Sequence, residues 1–245
     1  DVLQPAIDYY QSHGTATDKL RTYYYQGRIY QNQQKHDELA LQCFVKAVTK
    51  GAASDDILTK ARVLFTQGRI YSTIYEWDKC IATYLEAAEY FKSIGITAVV
   101  VKYRLPNDGH KEVPLEDAVE AIRIVRKKAK KFNIDPAKVG IMGFSAGGHL
   151  AASASNIPPV EDRPNFSILF YPVVIANHYT SHVGSFRNLL GKGFVQADAD
   201  EFSMEKLASE NTPPTILLLS DDDTTVPAAG AAMYYAALRY HGVRA

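Results

Sequence analysis

The chain has 245 residues, with 27 Lys and Arg balanced by 27 Asp and Glu, so its formal net charge is zero. That balance removes the basic footprint expected of a general nucleic-acid binder, and no nucleic-acid partner is expected. Hydrophobic residues at 47% and charged residues at 22% lie near globular averages and exclude disorder, collagen-like repeats and long coiled coil, while the length suits one α/β domain or two smaller ones.

An internal repeat dominates the first part. Gln26-Gly27-Arg28-Ile29-Tyr30 recurs as Gln67-Gly68-Arg69-Ile70-Tyr71, an offset of 41, and the same offset pairs Asp37 with Asp78, Phe44 with Leu85 and Ala47 with Ala88. A second echo aligns residues 6–14 with 87–95. Apolar and aromatic residues three and four apart predict amphipathic helices near 2–12, 17–32, 36–49, 56–73 and 77–93. Gly27 and Gly68 fall inside helices, where glycine costs about 1 kcal/mol relative to alanine, so a neighbouring helix is expected to approach closely there. The segment resembles a tetratricopeptide-repeat array, with Gly27, Tyr30, Ala40, Phe44 and Ala47 near that family's signature positions. Its period is longer than the typical ~34 residues. The resemblance implies antiparallel helical hairpins and a peptide or protein ligand on the repeats.

From Ile96 the periodicity changes. Ile96–Tyr103 is a β-branched run of strand length, a helix is predicted over 114–132, and strands over 138–142, 165–171 and 215–220. Helices over 147–154 and 228–240 complete the pattern, and strands alternating with helices predict a mainly parallel sheet covered on both faces. Gly95 closes the last repeat-type helix, so the domains are read as 1–95 and 96–245.

The motif richest in chemistry is Gly143-Phe144-Ser145-Ala146-Gly147-Gly148-His149, between a predicted strand and a predicted helix. That context is the one a nucleophile elbow requires, because a tight turn flanked by small residues lifts the serine hydroxyl above the strand ends; the alternative is a plain glycine-rich turn. After the strand at 215–220 comes Asp221-Asp222-Asp223, on the sheet edge where ligands of parallel sheets bind. Asp223 is the first choice among these acids to polarise a histidine, against a solvated acidic loop or helix cap.

Residues 96–245 resemble α/β-hydrolases of the carboxylesterase and acetylxylan-esterase type. The resemblance rests on Gly95–Pro106 with its Tyr103-Arg104-Leu105, on Asp135-Pro136 with Lys138–His149, on Phe170-Tyr171-Pro172, and on Thr212–Thr215 with Asp223–Pro227. It implies Ser145 as nucleophile, Asp223 as triad acid and the Ala146 backbone N–H as an oxyanion donor, acting on a small-molecule or polysaccharide ester without cofactor. The fold class expected is therefore α plus α/β: antiparallel helical-hairpin repeats, then a partial α/β-hydrolase sheet.

Two family parts are expected to be missing from this stretch: a glycine-rich oxyanion loop before Ile96 and a histidine segment after Ala245. No catalytic histidine is assigned. His241 reads as a helix-end residue before Gly242, His149 as a packing residue on the elbow helix, and His178 and His182 lie in a polar insertion without a spacing signal. Losing a triad member and an oxyanion donor costs roughly 10²-fold or more each, so such a chain is expected to turn over slowly. The family's strand order sets another strand between 96–103 and 138–142, and direct pairing of these two, or poor order, is expected here.

Cys43 and Cys80 suit neither a disulfide framework nor a four-ligand zinc site, and no metal site is expected. No stretch approaches the ~20 apolar residues that span a bilayer, so no membrane partner is expected; the chain reads as soluble, with its compartment open. Three readings stand together: a serine ester hydrolase, a helical peptide-binding scaffold carrying an inert hydrolase portion, and a junction of two parent sequences near Gly95.

Overall fold

The computed structural model describes residues 4–31, 36–106, 110–176, 181–221 and 223–245. It divides into two compact units, 1–100 and 101–245.

The first unit holds α1 (Gln4–His13), α2 (Ala16–Ile29), α3 (Asp37–Lys50), α4 (Ile57–Thr73) and α5 (Trp77–Ser93). Helix starts follow local chemistry. Thr15 and Asp18 form a reciprocal capping box at α2, and Asp56 accepts the Thr59 N–H at 3.0 Å to cap α4. Gly95, at φ 80°, ends α5 with the Ile96 N–H bonded to Phe91 O at 3.0 Å and its own N–H to Lys92 O, the bonding pattern of a Schellman cap.

Helix α2 packs on α3 and α4 on α5, so the repeat in sequence is a repeat in packing. The two interior glycines show why. A Cβ at Gly27 would stand 2.5 Å from the Phe44 ring, and one at Gly68 would stand 2.6 Å from the Tyr84 ring. The structural counterpart of Phe44 is therefore Tyr84, correcting the Leu85 expected from a constant offset; Leu85 is 55% exposed. Buried Ala40, Cys43 and Ala47 likewise correspond to buried Cys80, Thr83 and Ala87. The stretch between glycine and ring is one residue shorter in the second hairpin, and packing rather than sequence register sets the equivalence.

The second unit carries α6 (Val113–Lys127), α7 (Ala129–Phe132), β1 (Gly140–Phe144), α8 (Ala146–Asn156), β2 (Phe166–Phe170), α9 (Val183–Leu190), α10 (Gln196–Asp200), α11 (Met204–Leu207), β3 (Thr215–Leu218) and α12 (Ala228–Tyr240). The helix expected over 114–132 is broken after Lys127, and Asn133 closes its second piece in the left-handed region at φ 52°. The strands form a parallel sheet in the order β1-β2-β3, with Gly140 opposite Phe166 and Phe170 opposite Leu218. Ala151 and Ala152 of α8 pack with Leu169 of β2 and with Tyr234 and Leu238 of α12 in the main core. On its other side α8 meets α6 through Ala154, Ala118 and Ile122.

The strand expected at 96–103 does not form, nor does its pairing with the 138–142 segment: β1 pairs only with β2 among the described residues. Val99 and Val101 are left exposed. A strand exists only through ladder bonds to a neighbour about 4.8 Å away. The chain just after this run is instead held on α6, where the Arg104 N–H and guanidinium donate to Asp117 at 2.7–3.1 Å.

Candidate active site

Ser145 occupies the single residue between β1 and α8, with φ 53° and ψ −121°. Those angles are those of the first central position of a type II′ turn, where glycine is the unstrained choice. The surrounding bonds over-determine the turn. Ser145 donates its N–H to Phe170 O at 3.0 Å, extending the β1–β2 ladder, and its carbonyl accepts from the N–H groups of His149 at 3.1 Å and Val173 at 3.3 Å. A Cβ at Gly143 would collide with the Gly147 carbonyl, and one at Gly148 would stand 2.8 Å from Pro172 Cβ. Gly147 has open space around its Cβ position, so it is not sterically required. Ala146 is the first residue of α8, at the helix end whose N–H groups lack intrahelical acceptors and attract negative charge.

Asp223 lies beyond the carboxyl end of β3. Because the sheet is parallel, this is the edge at which Ser145 follows β1, with β2 between them. Its Oδ1 accepts the N–H groups of Thr225 and Val226, both at 2.9 Å, which shapes the loop ahead of α12. The residue capping α12 is Pro227, so Asp223 is no helix cap.

The histidines are dispersed. His149 is buried, and its Nε2 donates to Phe202 O at 2.8 Å. Burial holds its pKa below the ordinary histidine value, a shift that this hydrogen bond only partly offsets, so the ring is a neutral packing group. His182 Nδ1 meets Ser185 Oγ at 2.9 Å ahead of α9. His241 ends α12 beside Gly242, which sits at φ 74°. His178 and Asp222 lie outside the described residues. Among the described residues no histidine side chain hydrogen-bonds Ser145, no group of three or more His, Cys, Asp or Glu side chains is arranged to hold a metal, and no helix is long and apolar enough to cross a membrane.

A cavity of about 170 Å³ opens beside the serine turn. Ala146, His149, Leu150 and Ser153 line it from one face of α8, and Phe186 and Leu189 line it from α9. The α8 contribution is legible as an i, i+3, i+4, i+7 stripe starting one residue after Ser145. The α9 contribution has no sequence signal of its own, because it depends on where the excursion after β2 comes to rest.

A family model described as alpha/beta hydrolase fold matches residues 86–244. An acetylxylan esterase of Xylanibacter ruminicola is 50% identical over 107 residues, which are 44% of this chain and 22% of that protein. An endo-1,4-beta-xylanase B of Butyrivibrio fibrisolvens is 41% identical over 143 residues, covering 52% of this chain and 22% of that protein. The crystal structure of an acetyl ester-xyloside bifunctional hydrolase from Caldicellulosiruptor lactoaceticus superposes with a TM-score of 0.59 at 38% identity, covering 65% of this chain and 62% of that one. The chain thus spans about a fifth of the length of these two curated relatives.

Proposed function

Because the chain belongs to the α/β-hydrolase fold family over residues 86–244, we propose that residues 96–245 carry a serine carboxylic-ester hydrolase acting on acetyl or other short acyl esters, including those of xylan. The observation that carries this reading is Ser145 in its strained turn at the amino end of α8, with Asp223 beyond the same edge of the sheet. The named activities of the acetylxylan esterase and the acetyl ester-xyloside hydrolase support the ester and its polysaccharide setting.

In this reading Ser145 Oγ attacks the ester carbonyl carbon, and the Ala146 N–H donates to the oxyanion that forms. Collapse expels the alcohol and leaves an acyl group on Ser145, which water then removes as the carboxylic acid. Asp223 orients and polarises the histidine that takes the serine proton; that histidine is not assigned among the described residues. A fluorophosphonate probe tests the activated serine. An adduct on Ser145, absent in Ser145→Ala, is the expected result, and folded protein that stays unlabelled refutes it.

For residues 1–95 the repeated glycine-on-ring packing of Gly27 with Phe44 and Gly68 with Tyr84 supports a tetratricopeptide-like array able to hold a peptide. A peptide ligand bound by the full chain and lost on disturbing these pairs is the expected outcome; binding indifferent to them counts against it.

A further inference from the structure

Ser203 stands one residue before α11, where a serine ordinarily caps its own helix, yet its side chain makes no cap bond there. The residue is only 1% exposed, and its Oγ instead accepts the Ala176 N–H at 3.0 Å and donates to the Glu205 carboxylate, 2.6 Å from the nearer oxygen. A hydroxyl carries a single hydrogen. With that hydrogen held by Glu205, a lone pair is left facing Ala176.

This bond is one of three by which residues 202–204 grip the two segments that hold the serine turn. The Phe202 carbonyl accepts from His149 Nε2 of α8, and the Met204 N–H donates to Val174 O, both at 2.8 Å. Farther up the segment after β2, Val173 donates its N–H to the Ser145 carbonyl at 3.3 Å, and Pro172 lies close against Gly148. The acid side of the candidate site is tied to the same place. Val226, whose N–H donates to Asp223, packs in one apolar cluster with Val173, Ala176 and Phe202.

A strained backbone persists only where its surroundings over-determine it. The Val173 bond is the longest of the three that hold the Ser145 backbone, so it is the first to go if residues 173–176 shift. Ala176 is pinned through both backbone groups, since Gln196 Nε2 donates to its carbonyl at 2.7 Å. Gln196 is exposed, and water can replace its bond. The Ala176 N–H is buried with Ser203 and has no such substitute, and an N–H left buried without an acceptor is costly enough to move the segment.

We infer that Ser203 is a positioning residue for the nucleophile: it holds residues 173–176 in the place from which Val173 supports the Ser145 carbonyl. This role rests on Ser145 being the nucleophile of the proposed hydrolase. Ser203 touches no reacting atom, so it changes the reactivity of the serine rather than the affinity for the ester. A misplacement of about 1 Å can cost on the order of 10²-fold in rate.

The test compares the native chain with Ser203→Ala and with Ser203→Cys, which fills similar space with a weak hydrogen-bonding group. Tyr234→Phe serves as control, because it loses a buried hydrogen bond away from the serine turn. Each protein is read by kinetics with p-nitrophenyl acetate, by the rate of fluorophosphonate labelling, and by amide hydrogen exchange at Val173 relative to Leu169 in the core of β2. Both Ser203 variants should label about tenfold or more slowly and lose kcat by a similar factor with KM within about twofold, the split expected when only transition-state stabilisation is lost. Their Val173 amide should exchange about tenfold or more faster relative to Leu169, while Tyr234→Phe matches the native chain in all three readings. Either Ser203 variant suffices should the other not fold. Labelling and turnover in the Ser203 variants equal to the control's overturn the role, as does their loss with Val173 exchange unchanged; in both cases the serine reading stands. A native chain that neither labels nor turns over refutes the serine reading, and the positioning role with it.

Discussion

Ser145→Gly should make the second unit more stable than Ser145→Ala does. The native φ of 53° and ψ of −121° put an L-residue where only glycine rests without strain, a penalty of about 1–3 kcal/mol. Against its relief stand the extra backbone entropy of glycine, about 0.5–1 kcal/mol, and the loss of one half-buried carbon, about 0.4 kcal/mol. Both variants lack the hydroxyl, so their difference reports the backbone and that one carbon. The balance favours glycine by about 1 kcal/mol, or about 2–4 °C in the melting transition of residues 101–245. Calorimetry on the three proteins reads this directly, with fluorophosphonate labelling abolished in both variants. A Ser145→Gly protein no more stable than Ser145→Ala refutes the claim that the turn stores strain to present the serine.

The neighbouring glycines should part company. Gly148→Ala drives a Cβ to 2.8 Å from Pro172 and should cost about 1–3 kcal/mol, whereas Gly147→Ala meets nothing within 4 Å and should gain up to about 1 kcal/mol of helix propensity, both read by chemical denaturation. In the first unit Gly68→Ala forces the Tyr84 ring aside, and its overpacking should outweigh the helix-propensity gain, seen as a lower melting temperature. His149 has a pKa lowered by burial, so its contribution is complete above the unfolded value near 6.5 and is lost as pH falls below it, because only the unfolded chain then takes up the proton. Denaturant titrations from pH 7 to 4 should show a slope of up to about 1.4 kcal/mol per pH unit that His149→Gln removes. Tyr234 is fully buried, its phenol pushed up to about 12 by burial, so stability should fall between pH 10 and 12 by about 2–3 kcal/mol in the native chain and not in Tyr234→Phe. That variant also removes the acceptor of Asn156 Nδ2 at 2.8 Å and should cost about 1 kcal/mol at neutral pH.

Much of the architecture is written in short-range chemistry. Helix α12 spans the residues its pattern predicts, because apolar spacing, Pro227 before it and Gly242 after it all act within a few residues. The serine turn is legible for the same reason: Gly143 and Gly148 allow the sharp approach of β1 to α8, and the motif states both within six residues. Gly27 and Gly68, recurring inside helical patterns, likewise announce a close helix contact by their position alone.

What the sequence could not settle are relations between distant segments. Residues 96–103 have the β-branched composition of a strand, but a ladder requires a second backbone alongside, and composition cannot supply one. The ring that meets Gly68 is Tyr84 rather than Leu85 because the packed helix pair, not a constant offset, decides which side chain faces inward. His149 turns its imidazole to the Phe202 carbonyl, 53 residues away, and the burial that comes with that packing, not the bond itself, keeps the ring neutral. The cavity arises likewise from α8, α9 and the segment around Phe202, elements separated in the chain and joined by packing. Helices and turns are stabilised within about four residues and so can be read along the chain. Ladders, buried rings and cavities are properties of two or more segments at once, and only the tertiary fold decides which segments meet.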